Sequence, residues 1–238
     1  MKILICLILA SLPSIIWLAF YLRKDRHPEP NRLVIKIFLW GAIVVILAGL
    51  LEFLISYIPR IFVINAVLFI IVSFAFVEEI LKYLVVKLGI LKNPEFDEPV
   101  DAMIYMIIAA LGFAAAENIY LLSQIHPLQN SLKVTLEFIT TRFLGATFLH
   151  ALASAIAGYF LAASLLITSK IRKFLIGGGI LAATILHSIF NYLIILNGQQ
   201  LISDVARNFY LIIILGSMAI MVSFMFKKIN KYRSICKI

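Results

Sequence analysis

The chain has 238 residues, 63% of them hydrophobic, and a mean hydropathy of +1.06. Soluble globular proteins are nearer half apolar, so composition excludes that class. The formal charge is +9, but the basic residues collect in short joints between apolar runs. There they act as a membrane-topology signal and an attraction to anionic lipid, with no nucleic-acid footprint.

In chain order, apolar stretches long enough to span a bilayer lie near 3–22, 35–57, 61–86, 101–123, 140–168, 174–196 and 208–226. They predict an all-α fold, a polytopic bundle of about seven transmembrane helices. No internal repeat or low-complexity run divides the chain, so residues 1–238 are expected to form a single membrane domain. The first stretch opens Met1-Lys2 like a secretory signal, yet no small-x-small cleavage site precedes Arg23, and it is read as a retained span.

Five Lys/Arg lie in the joint from Arg23 to Lys36, two from Lys87 to Lys92, three from Lys170 to Lys173 and five from Lys227 onward. The alternate joints hold only Lys2, Arg60, Lys133, Arg142 and Arg207. Basic residues stay cytoplasmic, so the N-terminus is expected outside and the C-terminus inside, which requires an odd number of spans. Cys6 and Cys236 lie near opposite ends on opposite expected faces, so no disulfide and no CxxC metal site is expected.

The third stretch carries Glu78 and Glu79 side by side. Each carboxylate costs about 2.5 kcal/mol or more at the bilayer midplane, and two adjacent ones repel. Lys82 follows Glu78 by four residues on nearly the same helix face and can neutralise one of them. The other must find a proton, a metal or a partner on another helix. The fourth stretch carries Glu117 and Asn118 behind the small residues Gly112, Ala114, Ala115 and Ala116, which let another helix approach and bury the carboxylate against protein. His150 lies on the small-residue fifth stretch. His187 and Asn191, spaced i and i+4 in the sixth, share a face, so an imidazole and a carboxamide can address one ligand. Each residue alone has a bland explanation as an interhelical tie. Together, in four spans, they point to one polar centre inside the membrane. At 1.5 Å per residue, Glu117 lies roughly 24 Å along its span from Asp101 while Glu78 lies only nine residues from Lys87, a depth mismatch that tilt or an α-helix starting near Phe96 would absorb.

The ordered set Asp25-Arg26-His27-Pro28-Glu29-Pro30, Glu78-Glu79-x-x-Lys82, Asp97-Glu98-Pro99-Val100-Asp101, Gly112-Phe113-x-x-x-Glu117-Asn118, His150 and His187-x-x-x-Asn191 resembles the PrsW family of intramembrane proteases. That family is similar in turn to the CAAX prenyl endopeptidases, and Glu117 stands where the wider pattern has a histidine. The resemblance implies a multi-pass protease of the bacterial plasma membrane that cuts in or beside the transmembrane segment of a membrane-anchored substrate, typically an anti-sigma factor on its extracytoplasmic side.

Peptide hydrolysis needs an activated water and an oxyanion stabiliser. Glu78 is expected to be the base, with Glu79 and Lys82 holding its charge and orientation. Glu117 and His150 would position the water or complete a metal site, His187 and Asn191 would face the oxyanion, and Asn118 would support Glu117. Glu78, Glu117, His150 and His187 also offer the oxygen and nitrogen donors that zinc or a similar divalent ion accepts, so metal-bound and metal-free versions both stand. The rival class is a proton-coupled transporter or channel, because intramembrane Glu and His residues also build proton relays.

Overall fold

A computed structural model describes residues 2–24, 27–58, 66–125, 132–167 and 170–232. Asp25 and Arg26 of the first motif, Arg60, residues 61–65 of the third stretch and Cys236 lie outside them, as does the Cys6 side chain. Every ordered element among them is helical: α1 Lys2–Leu22, α2 Asn31–Ile55, α3 Ala66–Gly89, α4 Pro99–Ile125, α5 Leu132–Leu144, α6 Ala146–Leu165, α7 Ile171–Gly198 and α8 Asp204–Ile229. Inside a bilayer the backbone can satisfy its hydrogen bonds only within helices or a closed barrel, which is why long apolar runs fold this way.

Each expected apolar stretch overlaps a helix, the fifth being shared by α6 and the end of α5. Lys133–Leu165 and four further stretches, within α2, α4, α7 and α8, are long and apolar enough to cross a membrane. In α3, Glu78, Glu79 and Lys82 interrupt the apolar run. The molecule is a multi-pass helical bundle.

The fourth stretch is apolar for a different reason from its neighbours. In its most apolar 18-residue window 94% of the residues are buried inside the protein, against 28% in that of α2 and 22% in that of α8, so α4 is the central post and lipid lies against the outer helices. Small residues let the surrounding helices come close to it. A Cβ on Gly112 would lie 2.0 Å from the Phe38 carbonyl oxygen, one on Gly41 2.1 Å from that of Ala109, and one on Gly158 2.7 Å from Met103 Cα. These glycines fix the crossings of α2 on α4 and α6 on α4, and the first of them comes five residues before Glu117.

The two acidic motifs meet at the start of α4. Asp101 accepts hydrogen bonds from the backbone N–H groups of Asp97 (2.9 Å) and Glu98 (2.8 Å), Tyr105 donates its hydroxyl to Glu29 (2.6 Å), and His27 Nδ1 lies 2.7 Å from Glu98. Phe96 is buried just ahead of the helix, which begins at Pro99.

Candidate active site

Four helices bring the charged groups of the sequence to one place. Glu78, Glu79 and Lys82 come from α3, Glu117 from α4, His150 from α6 and His187 from α7. Lys82 is fully buried and donates to Glu79 Oε1 at 2.8 Å, to Glu78 Oε2 at 3.4 Å and to His150 Nδ1 at 2.8 Å, with the Phe113 ring 4.6 Å from its ammonium. The residue it neutralises is therefore Glu79, three positions back, more than Glu78, four back. The face shared by Glu78 and Lys82 sets only the weaker of the two pairs.

Glu79, also fully buried, is held from three sides: by Lys82, by His187 Nδ1 at 3.0 Å and by the Ser154 hydroxyl at 3.2 Å from α6. A buried carboxylate needs this saturation, since each unmet lone pair carries a desolvation penalty. Glu78 is held loosely. Its Oε2 lies 3.8 Å from His150 Nδ1 and 3.9 Å from His187 Nε2, and no described residue engages Oε1.

Glu117 pairs with the Arg142 guanidinium and accepts from His150 Nε2 at 3.0 Å. Arg142, counted in sequence among the basic residues of a joint, sits instead at the edge of the polar centre. Its Nε donates to Asn118 Oδ1 at 2.5 Å, and Asn118 Nδ2 donates in turn to Thr147 Oγ1 at 3.1 Å and the Ala10 carbonyl at 3.3 Å. Asn118 thus supports Glu117 through Arg142 and joins α1, α5 and α6 to α4. The expected depth mismatch closes through His150, whose two ring nitrogens face Glu78 and Glu117. Asn191 is half-buried one turn past His187, and no described residue hydrogen-bonds its carboxamide.

A second residue that sequence reading passed over is Glu52, near the end of α2. Its side chain is half-buried. An acidic residue inside the apolar stretch 35–57 is the signal that could have found it.

The family profile described as PrsW family intramembrane metalloprotease matches residues 29–222. The chain belongs to the PrsW family of intramembrane metalloproteases. Protease PrsW of Geobacillus kaustophilus is 29% identical over 177 residues, covering 74% of this chain and 73% of the relative. Protease PrsW of Oceanobacillus iheyensis is 29% identical over 191 residues (76% and 79%), and that of Bacillus subtilis is 25% identical over 185 (76% and 79%). No solved structure matches. Membership in the PrsW family makes the chain a peptide hydrolase of the membrane and sets aside the transport reading.

The PrsW family name implies a metal, and the residues fit one. Glu78, His150 and His187 are buried and each offers one ligand atom, all within 4.8 Å of one another. Two imidazoles and one carboxylate form a set that catalytic zinc sites use. Each imidazole also points its other nitrogen at a carboxylate: His187 Nδ1 at Glu79, His150 Nε2 at Glu117. If those nitrogens carry the protons, lone pairs remain on His150 Nδ1 and His187 Nε2, the two atoms facing Glu78, and such carboxylate partners are what fixes the tautomer of metal-binding histidines. The His150 lone pair accepts a hydrogen bond from the Lys82 ammonium at 2.8 Å, and an ion held there would take the place of that bond. Glu117, expected among the ligands, lies against the far nitrogen of His150, outside this group of three. Three carboxylates face only two fixed cations, Lys82 and Arg142, and a divalent ion would offset that surplus.

Proposed function

We propose that the chain hydrolyses a peptide bond in or beside the transmembrane segment of a membrane-anchored protein, an anti-sigma factor cut at its first cleavage site, with Glu78 as the base. The observation that carries this reading is the asymmetry of the two adjacent carboxylates: Glu79 is saturated by partners, and Glu78 has one oxygen toward the imidazoles and one engaged by no described residue.

Glu78, His150 and His187 would hold a divalent ion such as zinc, which when bound supplies a more acidic water and polarises the scissile carbonyl. Glu78 Oε1 takes the proton of the attacking water and returns it to the departing amide nitrogen. Glu79, fixed by Lys82 and Ser154, holds His187 in orientation. Glu117, fixed by Arg142, does the same for His150. Because His187 spends its Nδ1 proton on Glu79, its Nε2 suits the ion better than the oxyanion. The oxyanion donor is then Asn191, whose carboxamide shares the His187 face. The reading takes residues 1–238 as one domain with the N-terminus outside, which sets the cut on the extracytoplasmic side.

The test is incubation of the purified protein with a tagged anti-sigma factor carrying a single transmembrane segment, with and without a chelator. Cleavage that stops on chelation and resumes with added zinc is the expected result. Cleavage indifferent to chelator would remove the ion, and no cleavage by the wild type would remove the substrate assignment.

A further inference from the structure

On the lipid-facing side of the bundle, α2 parts from α3 and α4 to leave a groove of about 850 Å³. Ile46 and Phe53 of α2, Phe74 of α3, and Ala116 and Tyr120 of α4 line it. Ala116 precedes Glu117, the most open carboxylate of the centre, on α4, so the groove runs along the helix that carries one of the site's acids. Glu52 also lines the groove, half-buried, and no described residue donates a hydrogen bond to its carboxylate. It lies three residues before the end of α2, so its carboxylate stands near the rim of the apolar stretch. Its neighbours in the groove are otherwise almost all apolar.

Cleavage requires a substrate helix to unwind locally, because a helical backbone hides the scissile carbonyl in its own hydrogen bonds. The N–H groups so released have no water to meet in the hydrocarbon and must find acceptors on protein. The groove volume falls within the range that encloses a drug-sized ligand, which corresponds to a few residues of stretched chain and not to a packed helix. Resting on the protease reading, we propose that this groove binds the stretched transmembrane segment of the membrane-anchored substrate, with Glu52 accepting hydrogen bonds from its released backbone N–H groups. Apolar side chains of the segment lie along Ile46, Phe53 and Phe74, and the scissile bond is delivered past Ala116 to Glu78.

Gly49, on the groove wall, gives a clean test. A Cβ there would meet nothing within 4 Å, and the same holds for Gly216 on α8, so neither position resists a larger side chain. With the tagged single-span anti-sigma factor as probe, Gly49→Trp should lower cleavage by about tenfold or more, and Gly216→Trp should leave it unchanged. Glu52→Leu should raise KM about tenfold with kcat little altered, since the lost contact is made with bound substrate and not only in the transition state. In a Glu78→Gln background, p-benzoylphenylalanine in place of Phe53 should crosslink the probe, and in place of Ile213 on α8 it should not. Wild-type rates for Gly49→Trp and Glu52→Leu with no crosslink from position 53 would overturn the groove and leave the protease standing. A wild type that does not cleave while position 53 still crosslinks would sink the proteolytic reading alone, and failure of both would sink both.

Discussion

Two neighbouring glutamates should respond to the same substitution in opposite ways. Glu78→Gln keeps the volume of a side chain whose nearest partners stand at 3.4, 3.8 and 3.9 Å, so little bonding is lost and the fold should survive. What it removes is proton acceptance and one charged ligand of the proposed ion, a loss of about a hundredfold or more in turnover, equivalent to about 2.7 kcal/mol of barrier. Glu79→Gln acts on a fully buried group held at 2.8, 3.0 and 3.2 Å. It leaves the buried Lys82 ammonium with the looser Glu78 as its nearest opposite charge, and breaking a buried pair in this way costs about 3 kcal/mol or more. For a chain of this size that corresponds to a fall of roughly 10 °C in the unfolding midpoint. Both variants are compared in detergent by thermal unfolding, followed by intrinsic fluorescence, and by cleavage of the tagged substrate. The argument fails if Glu78→Gln cleaves at the wild-type rate, or if Glu79→Gln unfolds at the wild-type temperature with full activity.

His187→Ala should empty the ion site as measured by metal content, and Asn191→Ala should retain the ion yet lower kcat about 10²- to 10³-fold, the scale of one oxyanion donor; equal metal content in both would return His187 to the oxyanion. A cysteine at Lys24 should be protected from a membrane-impermeant thiol reagent in intact cells and one at Gln200 should react, following the imbalance of basic residues across the two faces; the reverse pattern would invert the orientation. Gly112→Ala should collapse expression of folded protein, because its methyl group meets the Phe38 carbonyl at 2.0 Å, and Gly49→Ala should be neutral; similar yields for both would refute the close crossing of α2 and α4.

The spans were legible because apolar length is a direct requirement of the bilayer, and the main site residues because a charge within such a run has few bland explanations. Glu52 escaped notice among the residues of α2 because the paired acids of α3 are the louder signal. Arg142 escaped because a basic residue near a span end reads as a loop charge; only the return of α5 toward Glu117 shows its use. Pairing was not legible at all. Whether Lys82 prefers Glu79 or Glu78 depends on where α6 and α7 bring His150, His187 and Ser154, and helical periodicity within α3 carries no information about that. The motif around Asp101 was likewise readable as a pattern, while its contact with Glu29 and Tyr105 depends on how α2 and α4 are placed.

The helix that runs from Lys133 to Leu165 is interrupted at Gly145, whose φ of −105° and ψ of −101° leave the helical region. Unbroken, 33 residues would make a rod of about 50 Å, far longer than a 30 Å hydrocarbon layer. Arg142 stands just before the interruption and His150 just after it, and both grip the Glu117 carboxylate. That single side chain is therefore a splint across the joint. The angle between α5 and α6 is set by a charge on a third helix, and the backbone at the joint is free to bend only as far as that grip allows.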